Sequence, residues 1–303
     1  MPLPTPHFDK LRALLENDKL PGDDRARVDA AIRRYHEWIL TLSRVRGERD
    51  DLVNGMVRLL SEYREFIDLE TIFDSESDFL YRQKGQLKLD NTVIEEFLPH
   101  LIAKVFPGID EGFHVGPQSC FSAVYFSSTL SRQETGGGLH IRTKDQDFSI
   151  SRRLYVRTSH DPTFANDYLS RETYLGYICA ECKTNLDKTM FQEAAATAHD
   201  VKTAVPGAKY YLLCEWLDMT PISTAPTDID EVLLLRKARR VGSQVRAHYA
   251  TYEGRQRMRD EYVRYLLDHP FAPDVFGRLI RHIDRVSADR DPEEADVLNG
   301  GYF

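Results

Sequence analysis

Tyr177-Ile178-Cys179-Ala180-Glu181-Cys182-Lys183 is an aromatic, β-branched and apolar run interrupted by two charges, and it reads as a strand. Alternate residues of a strand share a face. Glu181 and Lys183 therefore project together, while Ala180 and Cys182 point the other way, into the core. A carboxylate and an ammonium side by side on a largely apolar strand are unusual, because burying charge is costly unless it is paired or engages a ligand. On a solvated sheet face the same two residues would be an inexpensive ion pair, so the apolar neighbours carry the argument for a central position. Cys179 and Cys182 also form a lone CxxC. A zinc site needs about four ligands, and the sequence offers no second CxxC or close His pair. Two strand residues three apart face opposite sides, so the two thiols are expected to diverge and, with Cys120 and Cys214, to be reduced and structural.

Outward from this strand, the pattern is that of an α/β fold. A helix is expected from about Leu186 to Thr203, with Leu186, Met190, Ala194, Ala198 and Val201 on its buried side, followed by a strand from Tyr210 to Trp216. Strand, helix, strand is a parallel crossover unit. Upstream, Cys120–Ser128, Gln146–Ile150 and Arg153–Thr158 read as strands, separated by Gly136-Gly137-Gly138 and followed by a loop at Asp161-Pro162. Glu231–Lys237 suits strand or helix equally. Before residue 113 the chain reads as helical. A short helix spans Phe8 to Leu15. Val28, Ile32, Tyr35, Ile39 and Leu42 form one stripe, and Leu52, Met56, Leu59, Tyr63 and Phe66 form another. A further helix starts after Asn91 as N-cap and is kinked at Pro99. Beyond Gly242 the chain is expected to be helical to about Val286, broken near Pro270, with a loose polar tail from Ser287. The organisation is then a helical module at 1–88, a core with a mixed sheet flanked by helices at 89–245, and a helical C-terminal part of the same fold at 246–303.

Composition narrows the function classes. The chain has 303 residues, 42% hydrophobic and 29% charged, with a net charge of -8. Such a chain is not a basic polymer binder as a whole, and nucleic-acid contact would come from local basic surface. No stretch approaches the roughly 18 apolar residues of a membrane span, and the N-terminus lacks the charged and apolar regions of a signal peptide, so the expected compartment is the cytoplasm, without a membrane partner.

The second chemical element is Lys144-Asp145-Gln146-Asp147-Phe148-Ser149-Ile150, where Phe148 and Ile150 take the core face and Asp147 the other. If this strand lies beside the Glu181 strand, Asp147 approaches Glu181. Two carboxylates and a backbone carbonyl, that of Cys182, would make the hard-oxygen site that Mg²⁺ prefers. Mg²⁺ polarises a phosphodiester and acidifies a bound water, and Lys183 would orient that water or stabilise charge on the phosphorane. His140, His160 and His199 are scattered without a paired nucleophile, so a Ser or Cys triad is not supported.

An acidic residue, a strand, Glu-x-Lys and a following helix is the pattern of the PD-(D/E)XK nuclease superfamily. Glu181 to Ala194 and Gln146 to Ile150 together resemble the Type II restriction endonucleases of the Bpu10I group. The resemblance covers roughly residues 90 to 245. It implies a restriction-endonuclease-like fold, Mg²⁺ held by Asp147 and Glu181, a catalytic Lys183, and double-stranded DNA cut to 5′-phosphate and 3′-hydroxyl ends. The acidic residue lacks the preceding Pro and stands about 34 residues before Glu181. That leaves Asp161 and Asp167 as rivals, with Asp147 favoured for its clean strand alternation.

Glu95 and Glu96 lie on a helix that leans over the site in such nucleases. Glu96 and Gln192 are the accessory candidates, each with a plain helix-surface alternative. DNA contacts are expected from Asn185, Lys188, Arg236, Arg239 and Arg240, the last three in a segment with 12 Lys and Arg against 6 acids from Leu233 to Arg285. One Glu-x-Lys centre cuts one strand at a time, so a dimer is expected, with itself or with a related subunit. The competing readings are a catalytically idle subunit with a nuclease-like fold and a repair or mobile-element nuclease.

Overall fold

A computed structural model of the chain describes residues 3–288 and 294–301. The run 177–183 lies in the second half of a long strand, β3 (Tyr168–Leu186). On one side β3 pairs antiparallel with β2 (Leu139–Ser159), which pairs antiparallel with β1 (His114–Phe126). On the other side it pairs parallel with β4 (Lys209–Leu217), and β4 pairs parallel with β5 (Glu231–Arg239). The five-stranded order is therefore β1-β2-β3-β4-β5, a mixed sheet. Helix α6 (Lys188–Ala204) makes the crossover from β3 to β4, and its first turn is capped by Asp187, which accepts from Met190 N–H at 2.9 Å.

Helices α1 (Pro6–Leu15), α2 (Gly22–Arg44), α3 (Arg49–Phe66), α4 (Phe79–Leu87) and α5 (Asn91–Val105) precede the sheet. Helices α7 (Ser243–His248), α8 (Tyr252–Asp268), α9 (Pro273–Ala288) and α10 (Glu294–Gly300) follow it. The alternation expected along β3 is present. Ile178, Ala180 and Cys182 belong to one apolar core shared with α1, α2, α3, α5 and α9, whereas Cys179 faces α6 together with Cys120 and Cys214. The two thiols of the CxxC thus enter different cores, and all four cysteines are free. No helix among the described residues is long and apolar enough to cross a membrane.

Several local expectations are corrected. The two strands expected at 146–150 and 153–158 are one continuous strand of 21 residues, and β3 begins nine residues before Tyr177, because the tip of the β2–β3 hairpin is polar and exposed and hides its own strand character. Glu231–Lys237 is a strand: Leu233 and Leu235 enter one core while Val232 and Leu234 pack on the other, so an apolar run on both faces left no period to read. The N-cap of α5 is Asp90, whose side chain accepts from Asn91 N–H; Asn91 instead donates to Glu95 at 2.8 Å. Helix α4 and a π-helical turn at Ile67–Phe73 were not legible, the former because Gly85 interrupts a short polar segment. In the tail, Glu294–Gly300 is helical, while residues 289–293 and 302–303 lie outside the described residues.

Glu96 is turned away from the sheet. Its carboxylate accepts from His7 N–H at 2.8 Å, Phe8 N–H at 3.1 Å and the Tyr35 hydroxyl, so it caps the first turn of α1, whose own N-cap Thr5 makes no side-chain bond. Burial pushes its pKa to about 7, with the hydrogen bonds from Tyr35, Phe8 and His7 opposing. This corrects Glu96 as an accessory to the catalytic centre. Replacing Glu96 by Ala strands buried donors, and is expected to lower the unfolding free energy by about 2–3 kcal/mol. Urea unfolding measures it, and wild-type stability in this variant would refute the capping role.

Candidate active site

The antiparallel ladder between β2 and β3 ends, toward the C-terminus of β3, at the pair Phe148↔Ala180. Beyond it the Asp147 side chain takes over: Asp147 Oδ2 accepts from Cys182 N–H at 2.9 Å. The carboxylate is thereby tied to the strand that carries Glu181. Lys183 Nζ lies 2.5 Å from Glu181 Oε1, and the Tyr210 hydroxyl on β4 donates to Glu181 Oε2 at 3.3 Å. Asp147, Glu181 and Lys183 line one cleft of about 420 Å³, together with Thr184, Asn185 and Met190 on the α6 side. Its other walls are Tyr81, Lys84 and Lys88 at the end of α4, and Arg240, Arg246, Tyr249, Tyr262 and Tyr265 around α7 and α8.

The electrostatics are those of crowded carboxyl groups. Burial raises the Asp147 carboxyl above its ordinary range and Glu181 adds to this, while the Cys182 N–H, Lys88 and Lys183 oppose. Glu95, on α5, is 6% exposed. Burial and the charge of Asp147 push it to about 7, against Lys88 and the Asn91 hydrogen bond. Of the two adjacent glutamates it is Glu95, not Glu96, that the structure puts in electrostatic contact with Asp147. Burial would lower Lys183, but the hydrogen bond and charge of Glu181, and then the charge of Asp147, hold it above its usual value. Burial, and next the Glu181 charge, likewise raise the Tyr210 phenol.

Among the described residues no three His, Cys, Asp or Glu side chains converge on a common metal point. The donors at hand fit Mg²⁺ in kind. Asp147 and Glu181 are oxygen ligands that repel one another, and Mg²⁺ is commonly bound through one or two carboxylates, with water and substrate phosphate completing its shell. In an extended strand a residue's N–H and C=O leave by the same edge. The Cys182 carbonyl therefore faces the edge on which its N–H holds Asp147.

The rival carboxylates are elsewhere. Asp161 accepts from Thr163, Ala165 and Asn166 N–H groups within the β2–β3 turn, and these bonds lower its pKa. Asp167 is in the same turn, exposed with a positive φ of 48°. Neither lines the cleft. Gln192 is exposed on α6 and outside the cleft, as is Lys188 at the start of that helix. Asn185 lines the cleft and donates to Met190 Sδ at 3.7 Å.

Among the arginines expected to meet DNA, Arg240 lines the cleft and pairs with Asp218 at 2.8 Å, and Arg239 is exposed. Arg236 is corrected. It is 2% exposed, bonded to Glu215 at 3.1 Å and to the His269 carbonyl at 2.9 Å, and stacked over Phe271, so no face remains for a phosphate. Other basic residues of this segment are likewise committed within the chain: Arg255 is fully buried on the carbonyls of Phe73, Ser75 and Tyr249, and the partly exposed Arg259 is paired with Asp74. Charge counts along a sequence cannot distinguish an arginine that binds a partner from one that ties down a loop. The cleft tyrosines Tyr249, Tyr262 and Tyr265 stand in that same segment.

A model of the family described as Bpu10I restriction endonuclease matches residues 86–303 of the chain. Among solved structures, one described as the native BbvCI A2B2 tetramer at low resolution matches with a TM-score of 0.51 and 16% identity, covering 84% of this chain and 94% of that one. At that identity the likeness shows the fold alone. No curated protein matches the sequence.

Titration calorimetry with Mn²⁺ or Mg²⁺ tests the assignment of the carboxylates. Asp147→Asn and Glu181→Gln are each expected to weaken cation binding by about tenfold or more, and Asp161→Asn to leave it unchanged. The reverse ranking would transfer the first carboxylate to Asp161.

Proposed function

This chain belongs to the Bpu10I restriction endonuclease family, and from that premise we propose that it is a Type II restriction endonuclease of PD-(D/E)XK type, hydrolysing phosphodiester bonds of double-stranded DNA with Mg²⁺ at Asp147 and Glu181. The observation that carries the reading is the bond between the Asp147 carboxylate and the Cys182 N–H. It joins the acidic residue of one strand to the Glu-x-Lys of the next, on the floor of a cleft whose walls carry Lys84, Lys88, Arg240 and Arg246.

Each residue has a physical role in this reading. Asp147 and Glu181, with the Cys182 carbonyl, would hold the ion; Mg²⁺ bound there supplies Lewis-acid polarisation of the phosphate and a more acidic water. Asp147 keeps Oδ1 for this while Oδ2 stays on the Cys182 N–H, so the carboxylate cannot swing away. Glu181 is oriented by Tyr210 from the neighbouring strand. Lys183 is a hydrogen-bond donor beside the carboxylates, placed to orient the attacking water and to stabilise charge developing on the phosphoryl oxygens. Glu95, in electrostatic contact with Asp147, would add a negative charge when ionised, and a bound cation would favour that ionised form. The products would carry 5′-phosphate and 3′-hydroxyl ends.

A single Glu-x-Lys centre cuts one strand per event, so a double-strand break calls for two centres. We propose a dimer on DNA, with itself or with a related subunit, and sequence readout in the major groove, where each base pair has a distinct donor and acceptor pattern. The structural neighbour is described as a tetramer of two kinds of subunit, which makes a second, related subunit a concrete candidate.

Cleavage of phage DNA is expected to require Mg²⁺ or Mn²⁺, to stop with EDTA, and to be replaced by binding alone in Ca²⁺. Lys183→Ala should lose cleavage by about 100-fold or more while keeping affinity in Ca²⁺ within a few-fold. Persistent cleavage in EDTA after metal removal would sink the proposal, and metal binding without any cleavage would favour the idle-subunit reading. Sedimentation of the protein on a cleavable duplex in Ca²⁺ should show two chains per site; a monomer that makes both cuts in one encounter would refute the dimer.

A further inference from the structure

Among the described residues six cationic side chains line the cleft, and five of them are engaged. Arg64 is bound to Asp68 and Glu215, Lys183 to Glu181, Arg240 to Asp218, Arg246 to the Val241 carbonyl, and Lys84 lies 4.8 Å from the Tyr81 ring centre. Lys88 is the sixth. Among the described residues its ammonium makes no ion pair, hydrogen bond or ring contact, although its charge is felt at both Asp147 and Glu95.

Its backbone is unusual as well. Lys88 terminates α4 in the left-handed region, with φ 51° and ψ 30°. Glycine is favoured where a helix ends in this way, since a side chain there costs about 1 kcal/mol or more. Among the described residues four non-glycine residues have positive φ, and of these Lys88 is the one that lines the cleft. The turn is held from α5: the Lys88 carbonyl accepts from the Thr92 hydroxyl at 2.7 Å and from Thr92 N–H at 3.2 Å. The Thr92 hydroxyl is itself 3.1 Å from His7 Nδ1. The exposed side chain therefore rises from a hydrogen-bonded turn that lines the cleft, in a conformation that glycine would adopt with less strain. Backbone strain of this kind clusters at functional sites, where the surrounding structure holds it in place.

We propose that Lys88 is a phosphate-positioning residue: its ammonium binds a non-bridging oxygen of the DNA backbone at or next to the bond that is cut. The chemistry favours this occupant. A polyanion entering this cleft approaches Asp147, Glu181 and the nearby Glu95, and an uncommitted ammonium lining the same cleft offsets that repulsion and fixes the register of the backbone, as phosphate contacts do. Lysine suits the task as a compact point charge that needs no bidentate geometry. The inference deepens the nuclease reading and rests on it for the identity of the anion.

The test uses Lys88→Ala, Lys88→Gly and Lys88→Arg in the full chain, with thermal unfolding, single-turnover cleavage in Mg²⁺ and duplex affinity in Ca²⁺ across a salt series. Lys88→Gly is expected to melt no lower than the parent, because glycine accepts the left-handed turn. Cleavage by the Ala and Gly variants should fall about 10- to 100-fold, the range of a lost charge-assisted hydrogen bond, with Lys88→Arg recovering most of it. The slope of log affinity against log salt should drop by about 1 in the Ala and Gly variants, as for the loss of one phosphate contact, a readout that a merely structural role would leave unmoved. Ala and Gly variants that cleave within about twofold of a competent parent, with an unchanged slope, would overturn the phosphate contact alone. A shifted Mg²⁺ requirement with an unchanged slope would also overturn it, placing Lys88 with the metal ligands instead. A parent that binds duplex but fails to cut, while Lys88→Ala still lowers the slope, would refute the nuclease reading and leave the phosphate contact standing.

Discussion

The site depends on one hydrogen bond at the end of a ladder. Strand β3 is paired antiparallel with β2 and parallel with β4, and the β2 pairing ends at Phe148↔Ala180. A strand edge released from its partner leaves backbone groups unsatisfied, and these are costly when buried. Here the Cys182 N–H is taken by the Asp147 carboxylate rather than by another strand residue. The same bond satisfies the backbone, locks the rotamer of an acidic side chain that burial would otherwise disfavour, and sets that side chain beside Glu181 and Lys183. The alternation of β3 does the rest. With Ala180 and Cys182 committed to the core beneath, Glu181 and Lys183 have to face the cleft.

Behind this floor, charge is buried at scale. Glu215 on β4 is fully enclosed and lies between Arg64 of α3 at 3.0 Å and Arg236 of β5 at 3.1 Å, with Asp68 completing the Arg64 side. Burial pushes the Glu215 carboxyl up, and the two guanidinium groups oppose that shift. Such a cluster adds little net stability compared with apolar packing, yet removing one member would cost about 3–5 kcal/mol, because the others would be left buried and unpaired. Its geometric effect is to tie the N-terminal helices to the parallel half of the sheet next to the cleft, where Arg64 and Asp68 also contribute to the wall. The helices are thus part of the scaffold of the cleft, and they share one apolar core with the sheet.

Helix α5 shows how neighbouring residues of one type divide their work. Side chains adjacent in a helix leave its axis about 100° apart. Glu95 consequently lies toward Asp147, while Glu96 lies toward α1 and closes its first turn. Two glutamates equivalent in composition become, through this rotation, one electrostatic neighbour of the site and one structural cap. The α4–α5 turn applies the same economy, since Thr92 on α5 holds both the Lys88 carbonyl and His7.

The sequence by itself determined the central strand, the crossover helix that follows it, and the pairing of Glu181 with Lys183 on one face, because strand alternation and helical spacing are local and survive in any tertiary context that buries one side. Between Asp147 and Asp161 it gave a preference on a local ground, an alternating strand against a loop beside a proline, and in the structure Asp161 closes its own turn. The length of β2 and β3, the choice of Glu95 over Glu96, and the walls of the cleft were decided only by the tertiary structure. Strand length beyond the buried core depends on cross-strand pairing and leaves no apolar period. Which glutamate faces inward depends on the rotation of α5 against two different neighbours. The fate of the arginines depends on distant partners: Arg236 meets Glu215 and Phe271, Arg255 meets carbonyls some 180 residues away in sequence, and Arg240 reaches the cleft rim. A charge becomes a binding group or a structural one according to what the folded chain places within about 4 Å of it, and that distance is absent from any one-dimensional pattern.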